Sequence, residues 1–180
     1  DCEGSIATAE DCIDNAGTQC CGCTDNTAIN YDSEATIDAG NCLYAPDNPT
    51  NFVGSYQYVG TSDTVNISLS WSNTSTEPVN TWDIEKTVDN GVNWSSVVTG
   101  YDGAETEYTS TDSDNQTIKW RIKGIGTNDS TDWIESNVVE IPNYGCTDEA
   151  ASNHDETATI DDGSCQYACT DITGGTIGVA

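Results

Sequence analysis

A mainly β fold, an antiparallel β-sandwich flanked by small, loop-rich, disulfide-stapled modules, is what this 180-residue chain predicts, on three observations. The first is a repeat: residues 22–45 read GCTDNTAINYDSEATIDAGNCLYA and residues 145–168 read GCTDEAASNHDETATIDDGSCQYA, aligned without a gap. The second is period-two alternation of apolar and polar residues between 52 and 142, a stretch free of cysteine. The third is composition: 31 Asp and Glu stand against 4 Lys and Arg, for a net charge of −27, beside nine cysteines and one histidine.

Residues 1–21 form a Cys-rich head, in which the capping-box spacing of Thr8 and Asp11 predicts a short helix. Residues 22–45 are the first repeat. A unit of two dozen residues buries too little apolar surface to hold itself, so a covalent or ionic staple is required. The cysteines of each copy are 19 positions apart, which predicts the disulfides Cys23–Cys42 and Cys146–Cys165. Pro-Asp-Asn-Pro-Thr-Asn makes up the turn-rich linker 46–51.

From 52 to 142 the strands announce themselves by parity. Val65, Ile67, Leu69 and Trp71 alternate with polar residues, as do Trp82 with Ile84, and Ile118 with Trp120 and Ile122. Further strands are expected at 55–60, 93–98, 105–110 and 133–141, separated by Asp-Asn-Gly, Tyr-Asp-Gly and Ser-Asp-Asn turns. Seven short strands in this span, each ended by turn chemistry, indicate a sandwich. The second repeat occupies 145–168, and the tail 169–180 ends in the strand-like Ile177-Gly-Val-Ala180.

Ile67-Ser-Leu-Ser-Trp71, then Trp82-Asp-Ile-Glu-Lys86 with Asp89-Asn-Gly-Val-Asn-Trp94, then Thr117-Ile-Lys-Trp-Arg-Ile-Lys-Gly124, resembles a fibronectin type III domain over 52–142. In that resemblance Trp71 matches the second-strand Trp, and Trp120 stands where the sixth strand usually carries Tyr. No Arg-Gly-Asp is present, so integrin binding is not implied. The flanking units resemble the GCTD…DDGSC modules of large secreted proteins of aquatic bacteria.

Charge decides much of the function class. A chain this acidic repels nucleic acid and anionic membrane surfaces, and multivalent cations are its natural small partners. No apolar run approaches the length of a membrane span. Nine cysteines with no CxxC…CxxC spacing, and with almost no Lys or His, read as disulfides of an oxidising compartment, hence a secreted or cell-surface location; the cluster Cys20-Cys21-Gly22-Cys23 has no counterpart in the second copy, which speaks against a metal site there. With no initiator Met or signal-like segment, Asp1 reads as the start of a processed chain.

The polar positions shared by the repeats are Asp25, Asn30, Asp32 and Asp38, matched by Asp148, Asn153, Asp155 and Asp161. Clustered Asp and Asn oxygens near a Gly turn suit Ca²⁺; the competing reading is that they shape turns. His154 is replaced by Tyr31 in the other copy, which speaks against a general base or an obligatory ligand, and catalysis is not expected. Asn66, Asn73, Asn93, Asn115 and Asn128 each open an N-x-S/T triplet and are candidate glycosylation sites. Trp71, Trp82 and Trp120 share the apolar parity of their strands, whereas Trp94 and Trp133 remain open as a sugar platform. Lys86 has inward parity, a placement similar to the buried Lys of isopeptide-bonded adhesins.

Cys169 lies beyond the self-closed second repeat and is the candidate for an inter-subunit disulfide. The expected function is that of a non-enzymatic extracellular fibre, filament or adhesin segment that associates head to tail with copies of itself. The alternative is a carbohydrate-binding or spacer module of a larger secreted enzyme.

Overall fold

In the first repeat, β1 (Cys21–Gly22) pairs in parallel with β2 (Ile37–Asp38). The computed structural model describes residues 21–60 and 63–168. Residues 1–20, which include Cys2, Cys12, Cys20 and the helix expected after Thr8, lie outside the described residues, as does the tail with Cys169.

The alternating segments then form two antiparallel sheets. β3 (Thr50–Tyr58), β4 (Thr64–Ser72) and β7 (Glu107–Ser113) make one, in the order β3-β4-β7. β5 (Val79–Thr87), β6 (Ser95–Asp102), β8 (Gln116–Gly126) and β10 (Val139–Ile141) make the other, in the order β10-β8-β5-β6. β9 (Ile134–Glu135) also pairs with β8. In the second repeat β11 (Tyr144–Gly145) pairs in parallel with β12 (Ile160–Asp161), copying β1 and β2. No helix occurs among the described residues.

Apolar parity becomes the inside of this fibronectin III-like sandwich. Val65, Ile67, Leu69, Trp82, Ile84, Ile118, Trp120 and Ile122 are at most 1 % exposed, with Trp71 and Phe52 close behind. Full burial of one such side chain contributes about 1.5–3 kcal/mol, so these residues hold the sheets together. Trp82 satisfies its indole N–H by donating to the Gly103 carbonyl at 3.2 Å. Trp120 fills the space beside Gly54, where an added Cβ would stand 2.7 Å from the indole. The turn at Asn90-Gly91 takes positive φ at both residues, 57° and 90°, as Asn-Gly chemistry favours.

Two expectations are refined. β3 begins at Thr50, inside the stretch expected as linker. The strand expected at 133–141 is two strands, because one extra residue enters the ladder. Glu135 faces Arg121, but Val139 faces Ile118, so the sum of paired numbers rises by one across the break. At the break the Ser136 hydroxyl accepts from Trp120 N, Ser136 N donates to the Trp120 carbonyl, and Asn137 is freed to turn toward the other sheet.

Candidate functional site: the stapled modules and their seams

Each repeat is held by turns and one disulfide rather than by a core. Its buried apolar residues are a cysteine and an alanine: Cys23 with Ala28, and Cys146 with Ala151. The disulfides are Cys23–Cys42 and Cys146–Cys165, with Cα atoms 4.9 and 4.8 Å apart. The shared glycine has a packing reason, since a Cβ on Gly22 would stand 3.0 Å from Ala35 Cβ and one on Gly145 3.1 Å from Ala158 Cβ.

The shared polar side chains do the same work in both copies. Asp25 Oδ1 accepts from Thr27 N, and Asp148 Oδ1 from Ala150 N, each at 2.9 Å. Their second oxygens accept the hydroxyl of the closing tyrosine, Tyr44 at 2.9 Å and Tyr167 at 2.5 Å. Asn30 and Asn153 imitate a strand: Nδ2 donates to the carbonyl of Asn41 or Ser164, and Oδ1 accepts from Leu43 N or Gln166 N. Asp32 caps Glu34 N, as Asp155 caps Thr157 N. Asp38 and Asp161 cap Gly40 N and Gly163 N, whose φ of 65° and 76° explains the glycine.

The six Asp form Asx turns, with the carboxylate accepting the N–H two residues on. The structure assigns each of the eight a local hydrogen-bond role, and among the described residues no three of His, Cys, Asp or Glu gather into a metal-holding group. The electrostatics follow the turns. Thr27 N–H, then the Thr27 and Tyr44 hydroxyls, hold Asp25 below the usual carboxylate range. The Tyr167 hydroxyl, then Ala150 N–H, do so for Asp148. Tyr44 and Tyr167 are pushed up in return, chiefly by those same hydrogen bonds.

The modules meet the sandwich at opposite ends. The first seam lies where β3 begins and β8 ends. Asp47 N donates to Ser75 Oγ and Asp132 N to Asn48 Oδ1, each at 2.9 Å. Pro46 packs on Gly126 so closely that a Cβ there would be 2.9 Å away. The second seam lies where β3 ends and β8 begins. Tyr58 and Tyr144 stack with ring centroids 3.8 Å apart and planes 7° from parallel. Tyr144 N donates to the buried carboxylate of Asp114 at 3.0 Å. Ser164, whose N–H donates to Asp162 Oδ1 at 2.8 Å, holds the Asp162 carboxyl low, with a smaller effect from the Tyr58 hydroxyl across the seam. A hydrogen bond with Tyr56, aided by burial, pushes Tyr144 up to about 12.

The remaining sequence candidates fall as follows. Trp71, Trp82 and Trp120 are core. Trp94 and Trp133 are half-buried and flank one cation: the Arg121 guanidinium lies 4.4 Å from the first ring centroid and 4.5 Å from the second. Glu85 fixes that guanidinium by accepting from Nε at 2.7 Å, and Lys123 approaches Trp133 at 6.0 Å. Lys86 crosses between the sheets to Asp112 at 2.5 Å. His154 is half-buried and Tyr31 exposed. Asn66, Asn73, Asn93, Asn115 and Asn128 are all exposed.

Sequence reading missed Asn137, Asp114, Tyr58 and Arg121. Outward parity on β8 was a signal for Arg121, but nothing local pointed to its two tryptophans.

No protein-family model matches the chain, and no curated protein matches it. Among solved structures the chain is similar to FN3tt, at 17% identity over 54% of this chain and 98% of that one, with a TM-score of 0.42. It is similar to a Fn3-like protein from Clostridium thermocellum, at 17% identity over 52% of this chain and 88% of that one, with a TM-score of 0.38. It is also similar to a multi-domain crystal structure from titin, at 18% identity over 54% of this chain, with a TM-score of 0.42. The match spans about a third of that titin structure, 32% of its length.

Proposed function

We propose that this chain is a non-enzymatic, extracellular structural segment, a stiff spacer in a surface fibre, filament or adhesin that associates head to tail with copies of itself. The observation that carries the reading is the pair of seams. The linker that follows the first module is bonded to one end of the sandwich through Asp47 and Asn48, and the second module is held at the other end through Tyr144, so both connections are tied down by hydrogen bonds or a stacked ring pair. Disulfides keep such small modules folded in water outside the cell. Electron microscopy of the full chain as secreted tests the reading: filaments or end-to-end oligomers are expected, and monomers at every concentration overturn it.

The carbohydrate-binding alternative draws less support, because one face of each candidate platform, Trp94 and Trp133, is already covered by Arg121. Exposure of all five sequon asparagines supports their carrying glycans where the host glycosylates, and an intact-mass shift on enzymatic deglycosylation reads this directly. Calcium is tested by limited proteolysis with and without a chelator. Turn-forming carboxylates give the same digest in both; a bound ion slows cleavage of the modules only when present.

A further inference from the structure

The two open sides of the sandwich are closed differently. On the side where β3 and β10 are edges, Asn137 acts as a missing strand: its Oδ1 accepts from Gly54 N at 2.8 Å and its Nδ2 donates to the Gly54 carbonyl at 3.0 Å. The other side presents β6 and β7. The β5–β6 ladder is broken by bulges, which guard an edge. The β4–β7 ladder runs from Thr64 opposite Ser113 to Ser70 opposite Glu107 without a break.

Backbone direction along β7 follows from the bonds just beyond its ends. Trp71 N donates to the Thr106 carbonyl, and Asp114 N to that of Asp63. Even-numbered residues between them therefore face β4, and Glu107, Thr109, Thr111 and Ser113 turn N–H and C=O outward. The outermost of these are occupied. The Tyr101 hydroxyl donates to the Glu107 carbonyl at 3.0 Å, Gln116 Nε2 to that of Ser113 at 2.6 Å, and Ser113 N to Asp112 Oδ1 at 3.0 Å. Thr109 and Thr111 remain, with two donors and two acceptors that face no other strand among the described residues.

This stretch lacks the usual guards. It carries no Lys, Pro or bulge, and the rows beside it on the solvent face, Ser55–Ser68–Thr109 and Gln57–Asn66–Thr111, are uncharged in a chain of net charge −27. One chain segment has matching chemistry. Residues 172–180 contain no charge and no proline, and within them Ile177 and Val179 share one parity while Thr176, Gly178 and Ala180 share the other. An added strand would set the apolar pair toward the Tyr101–Tyr108 rim and the small residues beside the hydroxyl face. The segment leaves the second repeat at Tyr167, which is 58% exposed, whereas its counterpart Tyr44 is half-buried near the following sandwich.

We propose that the β7 edge accepts residues 172–180 of a second copy as an added strand, extending the β3-β4-β7 sheet across the contact. The proposal rests on the head-to-tail reading and names its acceptor and donor. Thr111→Pro tests it in the full chain, because that substitution removes only an outward N–H and leaves pairing with β4 intact. Sedimentation and electron microscopy compare it with the wild type, with the wild type plus excess peptide of sequence ITGGTIGVA, and with a chain ending at Asp171. The unfolding transition of each variant is checked alongside. Expected is a rise of roughly tenfold or more in the concentration needed for assembly, in both variants and with the peptide. Wild-type filaments that persist undiminished against the peptide and in a folded Thr111→Pro chain overturn the edge proposal while the fibre reading stands. A wild type that stays monomeric overturns both.

Discussion

The sandwich and the repeats solve the same problem in opposite ways. The sandwich buries three tryptophans and a set of aliphatic residues between two sheets, and it needs no covalent link. Each repeat buries a cysteine and an alanine, and relies on a disulfide, three Asp side chains that cap their own turns and one Asn that ties the unit's two halves together. The difference follows from size: surface grows more slowly than volume, so some 90 residues enclose a core that two dozen cannot. Sequence pattern reflects it. The large unit is written in parity, the small one in fixed letters, because a core tolerates apolar exchange whereas a capping Asp or a φ-positive Gly does not.

The sharpest way to break the comparison is to damage one solution and watch the other. Trp120→Ala removes a fully buried ring and is expected to cost the sandwich about 3–5 kcal/mol, a large part of the roughly 5–15 kcal/mol that holds a domain folded. Both disulfides should survive in peptide maps. Loss of the native disulfides in that variant would show that the modules depend on the sandwich.

The converse variant, Cys146→Ala with Cys165→Ala, opens a loop for which chain-entropy models give about 3 kcal/mol. The second module should become protease-sensitive while the sandwich melts near its usual temperature. A fall in sandwich stability comparable to that of Trp120→Ala would contradict the division of labour. Smaller again is Asn137→Ala, which strips Gly54 of both side-chain partners at the sealed edge. A loss of about 1–3 kcal/mol is expected in denaturant unfolding, confined to the sandwich; a neutral result would mean that water replaces the amide.

Strand existence was legible because alternation is a local property: Val65 to Trp71 and Ile118 to Ile122 have the parity in the structure that they have on paper. The disulfide pairs were legible for a related reason, since duplication isolates each pair. The seams were not. Tyr58 and Tyr144 are 86 positions apart and look like ordinary strand-end tyrosines, and only the register of β3 and the turn at Asp114 brings them into a stack. The eight Asp and Asn positions were found but left between two chemistries. Sequence shows that oxygens are close together along the chain, not that the six Asp each accept an N–H of their own turn while Asn30 and Asn153 bond to a segment 11 to 13 positions away.

Alkaline titration probes the second seam with a modest effect. Tyr144 is raised from the ordinary 10 to about 12. A raised group contributes stability that is fully present below its unfolded value and lost as pH climbs through its folded one, so the seam should weaken between about 10 and 12. Phenolate absorbance should show several tyrosines ionising above the ordinary value, Tyr44 and Tyr167 among them, and the Tyr144→Phe chain should lose the latest step.

Asp162→Ala should have the smallest effect and separates module from seam. The first repeat carries Ala39 at this position and makes the same backbone bond without the side-chain cap, with Ala39 N donating to the Gly22 carbonyl at 2.9 Å where Asp162 N donates to that of Gly145 at 3.2 Å. The substitution should therefore leave the second module folded, its disulfide formed and its protease resistance unchanged. What it removes is the cap on Ser164 N, which the first copy does without, and the carboxylate that faces the Tyr58 hydroxyl across the seam. Amide exchange at Tyr144 and Gly145 should quicken while exchange at Cys146 to Ala158 stays as it was. The distinction matters for a spacer, because a looser seam admits bending between units that each remain intact. If exchange quickens throughout the module, Asp162 is part of its fold and the likeness of the two repeats is shallower than their hydrogen bonds indicate. If nothing quickens, the Tyr58–Tyr144 stack and Asp114 hold the seam without it.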